Sequence, residues 1–153
     1  MSIEVGSPAP DFTLTTDNGG SVTLSALKGK KVVLYFYPKD DTPGCTKEAC
    51  AFQESLPDFT GADAVIIGLS KDSAASHDKF KAKYSLDFTL ASDSDGTVCK
   101  AYGVWVEKKN YGKTYMGIER TTVLIDEQGV VAKVWRKVKV DGHAAKVLEA
   151  VRG

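Results

Sequence analysis

The chain has 153 residues, 20 basic and 20 acidic side chains and a formal net charge of zero. That balance excludes a nucleic-acid or anionic-membrane partner held by bulk charge, and the length suits one domain, residues 1–153, with a sizeable core. No apolar run is long enough to span a bilayer, and Met1-Ser-Ile-Glu-Val-Gly6 lacks the basic-then-apolar pattern of a secretory signal, so a cytoplasmic protein is expected.

Phe12-Thr-Leu-Thr15 alternates, Asp17-Asn-Gly-Gly20 supplies turn chemistry and Val22-Thr-Leu24 follows, which predicts an N-terminal β-hairpin. Ser25 to Gly29 reads as one helical turn ended by glycine. Lys31 to Tyr37 is a buried strand, stopped by Pro38, which has no N–H for a sheet ladder. Thr42 then sits at a helix N-cap with Pro43 at the first helical position. The helix is predicted to run to about Leu56 with Ala49, Phe52 and Leu56 inward, terminated by Pro57 and Gly61. Cys45 lands in its first turn. Unpaired backbone N–H groups and the positive end of the helix dipole favour thiolate over thiol there, and thiolate is the nucleophile.

Ala64 to Ser70 reads as a second buried strand. Asp72 or Ser73 caps a helix to about Tyr84, with Phe80 and Tyr84 inward. Phe88 to Ala91 is a short strand, and a helix containing Val98 and Tyr102 stops near Gly103. Val104 to Gly117 shows no clear period and reads as a loop. Thr121 to Asp126, a turn to Gly129, and Val130 to Val138 form a hairpin, and Gly142 to Val151 closes as a helix with Ala145, Leu148 and Val151 on one stripe. Alternating strands and helices predict an α/β protein with a central sheet covered on both faces.

Three cysteines, Cys45, Cys50 and Cys99, do not make a structural disulfide framework. Two cysteines five apart indicate catalysis or metal. Metal is the weaker reading, because the spacing is not CxxC and His77 and His143 lack ligand spacing. Both cysteines fall on one predicted helix. Five residues along it put their Cα atoms about 8–9 Å apart on different faces. A disulfide needs roughly 4.4–6.8 Å. Pairing Cys45 with Cys50 therefore requires the first turns to unwind. The other reading of Cys50 is a core cysteine on the inner face. Cys99 lies on a different helix and reads as structural, with a rival role as the bonding partner of Cys45.

Pro38, Thr42 and Cys45 match the PxxxTxxC motif of the peroxiredoxins. The string YPKDDTPGCTKEACAF, residues 37–52, resembles the bacterioferritin comigratory protein, or peroxiredoxin Q, subfamily. The PAPDF of residues 8–12 and the run KNYGKTYMGIERTTVLID of residues 109–126 fit as well, so the resemblance covers nearly the whole chain. It implies a thioredoxin-like fold, a mixed sheet flanked by helices, and a peroxidase without bound cofactor. Cys45 would attack a peroxide and become sulfenic acid, and Cys50 would resolve it to a disulfide. Thr42 would cap the helix and bond the peroxide, and Pro38 would shield the thiolate. Arg120, one of three arginines against 17 lysines, would hold the thiolate and polarise the O–O bond, whereas position alone leaves it a surface arginine at a strand end. Glu48 either orders that arginine or is a solvated charge. Hydrogen peroxide and alkyl hydroperoxides are the implied substrates, thioredoxin or a similar dithiol the implied reductant, and a monomer the implied state. Val123 stands where many relatives carry a bulkier apolar residue. Two other readings use the same cysteine: a dithiol oxidoreductase, which would want CxxC in place of Pro43-Gly-Cys-Thr46, and a redox-sensing or chaperone module that stops after one oxidation.

Overall fold

A computed structural model describes residues 3–153, with Asn18 described by its backbone only. A hairpin of β1 (Thr13–Thr16) and β2 (Ser21–Thr23) opens the chain. A short 3₁₀ turn, Leu24–Leu27, leads into β3 (Lys31–Phe36). Two helices follow, α1 (Pro43–Glu54) and α2 (Leu56–Gly61). Then come β4 (Ala64–Ser70), α3 (Ala74–Tyr84), β5 (Thr89–Ser92) and α4 (Thr97–Ala101). The chain ends with β6 (Trp105–Asn110), β7 (Lys113–Ile118), β8 (Thr121–Ile125), β9 (Val131–Trp135) and α5 (His143–Arg152).

Seven strands form one mixed sheet in the order β2-β1-β5-β4-β3-β8-β9. The inner strands β3, β4 and β5 run parallel, and β8 lies antiparallel to β3. Alternation along β3 divides the core. Val33, Tyr35 and Tyr37 meet Phe52 and Phe59 of α1 and α2, Phe80 of α3 and Val147 of α5. Val32, Leu34 and Phe36 meet Val98 and Cys99 of α4 and Tyr102 just past its end on the opposite face. Successive strand side chains point to opposite faces, so a continuous apolar run can serve two cores. Gly68 of β4 leaves room for the Tyr35 ring; a Cβ there would lie 2.8 Å from Tyr35 Cζ and from Leu90 Cδ2.

The structure departs from the sequence reading in several places. Pro57 does not end the helical region; it occupies the first turn of α2, where its missing N–H costs nothing. Ala145 is exposed, and the inward stripe of α5 is Ala144, Val147, Leu148 and Val151. Tyr84 does face inward, its half-buried ring packed on the core and edge-on to Phe80, with its hydroxyl bonded to Asp41 Oδ1 at 2.7 Å. Val104–Gly117 is not a loop. It contains the two-stranded ribbon β6–β7, paired from Trp105↔Ile118 to Asn110↔Lys113. Its two turn residues, Tyr111 and Gly112, both take positive φ, the geometry that matches strand twist in a two-residue hairpin. The ribbon pairs with no other strand and is largely exposed, so no alternation of apolar residues marked it.

Candidate active site

The junction between β3 and α1 is held from below by a buried polar cluster. Tyr37 donates to Asp40 Oδ1 at 2.5 Å, and His77 Nδ1 and Ser76 Oγ lie 2.7 and 2.8 Å from Asp40 Oδ2. His77 donates from Nε2 to the Ala91 carbonyl at 3.0 Å, and Asp40 N–H donates to Asp72. Satisfied networks of this kind rigidify what they hold. Here the held segment is the loop that delivers Thr42 and Pro43 to the start of α1. Asp41 bends the chain at φ 56, a conformation aspartate tolerates, and is tied to Lys83 and Tyr84 of α3.

Pro38 is exposed just past β3, whose last sheet bond is Tyr37 N–H to the Leu69 carbonyl. Thr42 stands at the N-cap position, but its side chain makes no cap bond. Its hydroxyl donates to the Lys39 carbonyl at 2.9 Å. The short loop turns back far enough to offer that acceptor, and the first-turn N–H groups of α1 keep no side-chain cap.

Cys45 lies in that first turn and is 2 % exposed. Arg120 reaches it from 75 residues away, Nη2 donating to Sγ at 3.3 Å. The sheet explains the meeting. Phe36 pairs with Thr121, so the residue before Thr121 lies beside the residues that follow Phe36. Arg120 donates with its other arm to Glu48 Oε1 at 2.6 Å. Glu48 is one helical turn beyond Cys45, 1 % exposed, and its second oxygen has no hydrogen-bond partner among the described residues. The solvated-charge reading of Glu48 is therefore excluded. One guanidinium bridges the cysteine and the carboxylate. Burial opposes the charge of Arg120, but Glu48 and Cys45 outweigh burial and raise its pKa. Gly44 gives the guanidinium room: a Cβ there would sit 3.2 Å from Nη2.

Burial pushes the Glu48 carboxyl up from 4.5 to about 7, against the pull of Arg120. Glu48 thus binds its proton more tightly in the folded chain than in the unfolded one. Its contribution to stability is full below pH 4.5 and is lost as pH rises through about 7. Going from roughly pH 5 to 8 should cost the native chain up to roughly 3 kcal/mol more than it costs Glu48→Gln. Urea midpoints of both proteins at the two pH values measure this, and titrating groups remote from Glu48 cancel in the difference.

Sequence reasoning missed Lys108. It is half-buried on β6, opposite Tyr115, with its stem against Gly117. Burial lowers its pKa first, repulsion by Arg120 adds to that, and Cys45 opposes. A second cation therefore lies within electrostatic reach of the cysteine. Nothing in the sequence signalled it once the ribbon read as a loop.

Cys50 is on α1 but exposed, so the reading of it as a core cysteine fails. Cys45, Cys50 and Cys99 are all free thiols in this structure. Cys99 is buried on the opposite face of the sheet in the core of α4, and burial beside Asp93 drives its pKa well up. A thiol so disposed is a poor nucleophile.

The residues from 5 to 134 match the AhpC/TSA family. The chain is a peroxiredoxin of that family. It belongs to the bacterioferritin comigratory protein, or peroxiredoxin Q, subfamily. It is 62% identical to a putative peroxiredoxin Bcp of Coxiella burnetii, covering 97% of this chain and 98% of the relative. It is 54% identical to peroxiredoxin Bcp of Bacillus subtilis, covering 99% and 97%. Among solved structures it is similar to the Xanthomonas campestris bacterioferritin comigratory protein, studied for alkyl peroxide reduction, with a TM-score of 0.91, 47% identity and 98% and 96% coverage. The Xylella fastidiosa peroxiredoxin Q superposes with a TM-score of 0.94 at 40% identity, covering 99% and 97%. The sheet with its flanking helices is the thioredoxin-like peroxiredoxin fold, and the activity of this peroxiredoxin is thiol peroxidase activity. Among the described residues no helix is long and apolar enough to cross a membrane.

Proposed function

We propose that Cys45 is the peroxidatic nucleophile and that Cys50 resolves it, with Arg120 as the electrostatic catalyst. The observation that carries this reading is the 3.3 Å bond from Arg120 to Cys45 Sγ at a helix start. The thiolate attacks the terminal oxygen of a hydroperoxide. The S–O bond forms, the O–O bond breaks, and the alkoxide or hydroxide leaves and takes a proton. Negative charge moves from sulfur to the leaving oxygen, so a fixed cation that spans both stabilises the transition state beyond the ground state. Thr42 uses its own proton on Lys39, which leaves its oxygen lone pairs to accept from the peroxide O–H. Glu48 positions the guanidinium. Pro38 ends the strand and shields the loop above the thiolate, and Lys108 adds positive field from the ribbon.

The sulfenic acid is then attacked by Cys50. A Cys45–Cys50 disulfide forms and water leaves. An external dithiol returns two electrons and two protons, becoming a disulfide itself; thioredoxin fits that role. Hydrogen peroxide and alkyl hydroperoxides are the substrates, and alkyl peroxide reduction by the Xanthomonas relative supports the second class. We read the chain as one domain, since the first hairpin is part of the sheet that the last helix covers, and take it to act as a cytoplasmic monomer.

Mass spectrometry after one equivalent of hydrogen peroxide, with free thiols alkylated and the chain digested, tests the cycle. A Cys45–Cys50 bridge is expected. A Cys45–Cys99 bridge would replace the resolving residue, and an unmodified Cys45 would end the peroxidatic assignment.

A further inference from the structure

We propose that the basic cleft between β9 and α5 is the docking surface for the reductant protein, and that this partner presents an acidic face. The proposal rests on the two-cysteine cycle above.

The cleft encloses about 430 Å³ and is lined by Trp135, Arg136, Lys137, Lys139, His143 and Lys146. The four cations are exposed. None of them is in an ion pair among the described residues. Lys133 adds a fifth charge, its ammonium 5.0 Å from the centre of the Trp135 ring. Asp141 also lines the cleft, but Lys47 of α1 holds it in an ion pair. Glu149 faces only the adjoining hollow with Lys133 and Lys146. In a chain whose net charge is zero, this is a local excess of positive charge.

The cleft is tied to the reacting cysteines at three points. Val138 N–H donates to the Arg120 carbonyl at 2.9 Å, and Lys137 turns the chain there at φ 49. Lys47, which reaches across to Asp141, is three residues before Cys50 and so shares its helix face. Phe52, two residues after Cys50, is fully buried, its ring edge-on to His143 at 6.0 Å. When the first turns of α1 unwind, Phe52 anchors the chain at the cleft wall. Cys50, two residues from that anchor, stays tethered close to the cleft wall.

That is where a reducing thiolate has to arrive. It attacks one sulfur of the Cys45–Cys50 bond and forms a mixed disulfide. The partner's second thiol displaces it, so the partner leaves oxidised and both cysteines return as thiols. A rim of exposed cations speeds the encounter with an acidic protein, and it does so in a salt-dependent way.

The test measures reduction of the oxidised chain by an acidic thioredoxin-type protein and by dithiothreitol, in the native chain and in Lys139→Glu/Lys146→Glu. The double variant should lose about tenfold or more in kcat/KM for the protein reductant. Its reduction by dithiothreitol and its reaction with peroxide should stay within about twofold of native, since neither needs the steering field. The native rate with the protein reductant should fall severalfold as ionic strength rises from about 0.02 to 0.2 M, and the variant should lose most of that dependence. An unchanged kcat/KM in the variant, or a flat salt dependence in the native chain, overturns the proposal. So does loss of binding to anionic phospholipid vesicles in the variant with reductant kinetics intact, which would assign the cleft to a membrane surface. A missing Cys45–Cys50 bridge is a separate failure. It shows in the peptide masses before any reductant is added, and it overturns the cycle and this docking assignment with it.

Discussion

Arg120→Ala is expected to slow the reaction of Cys45 with hydroperoxide by about 10²–10³-fold, the usual cost of removing one preorganised donor to developing charge. The reason lies in the bridging geometry. One arm of the guanidinium is 3.3 Å from Cys45 Sγ and the other 2.6 Å from Glu48 Oε1. Alanine removes the cation from the sulfur and from the leaving oxygen together. It also strands Glu48, which is 1 % exposed. That carboxyl would then stay protonated rather than sit charged and alone, so the fold survives while the rate is lost. Arg120→Lys should recover only a small part. A lysine is a point charge on a flexible stem and does not hold two partners in a fixed fork. Single-turnover stopped-flow with hydrogen peroxide reads the step directly. A loss smaller than tenfold in Arg120→Ala would remove Arg120 from the catalytic machinery.

Cys50→Ser should stop turnover and spare the first oxidation. The first equivalent of peroxide is expected to react at the native rate, after which steady-state activity with a thiol reductant falls by about 10²-fold or more, as for other lost nucleophiles. Sulfenic acid at Cys45 should accumulate and be trapped by dimedone. The native protein should behave differently on oxidation, because its two sulfurs do not meet on an intact helix. Both cysteines belong to α1. Their Cα atoms are about 8–9 Å apart in helical geometry, and a disulfide spans roughly 4.4–6.8 Å. Hydrogen exchange should therefore rise across 43–50 in the oxidised chain and stay low beyond Phe52. Phe52 stacks on Tyr35 at 4.8 Å and is fully buried, worth roughly 2–3 kcal/mol, so the helix opens only ahead of Phe52. Unchanged exchange in a chain that carries the Cys45–Cys50 bond would contradict the unwinding.

Much of this site was legible along the chain because its signals are local. Pro38 ends a buried strand, Thr42 and Pro43 begin a helix, and Cys45 therefore falls in a first turn. Those inferences need only the next few residues. The misreadings have equally local causes. The ribbon β6–β7 is exposed on much of both faces, so it lacks the period that marks a strand packed on a core. Lys108 was lost with it. Thr42 has the composition of a cap, but a cap and a loop bond compete for one hydroxyl, and the Lys39 carbonyl won.

By itself, then, the sequence determined where Cys45 sits, which strands are buried and that two thiols share one helix. These follow from backbone propensity and apolar spacing over a few residues. Only the tertiary structure decided that Arg120, 75 residues on, faces Cys45, that Glu48 is buried against it, and that Cys50 points to solvent while Cys99 does not. Those facts depend on the antiparallel register of β8 on β3 and on which helix face meets the sheet. Register and facing are set by packing across the whole core, so no window of the chain contains them.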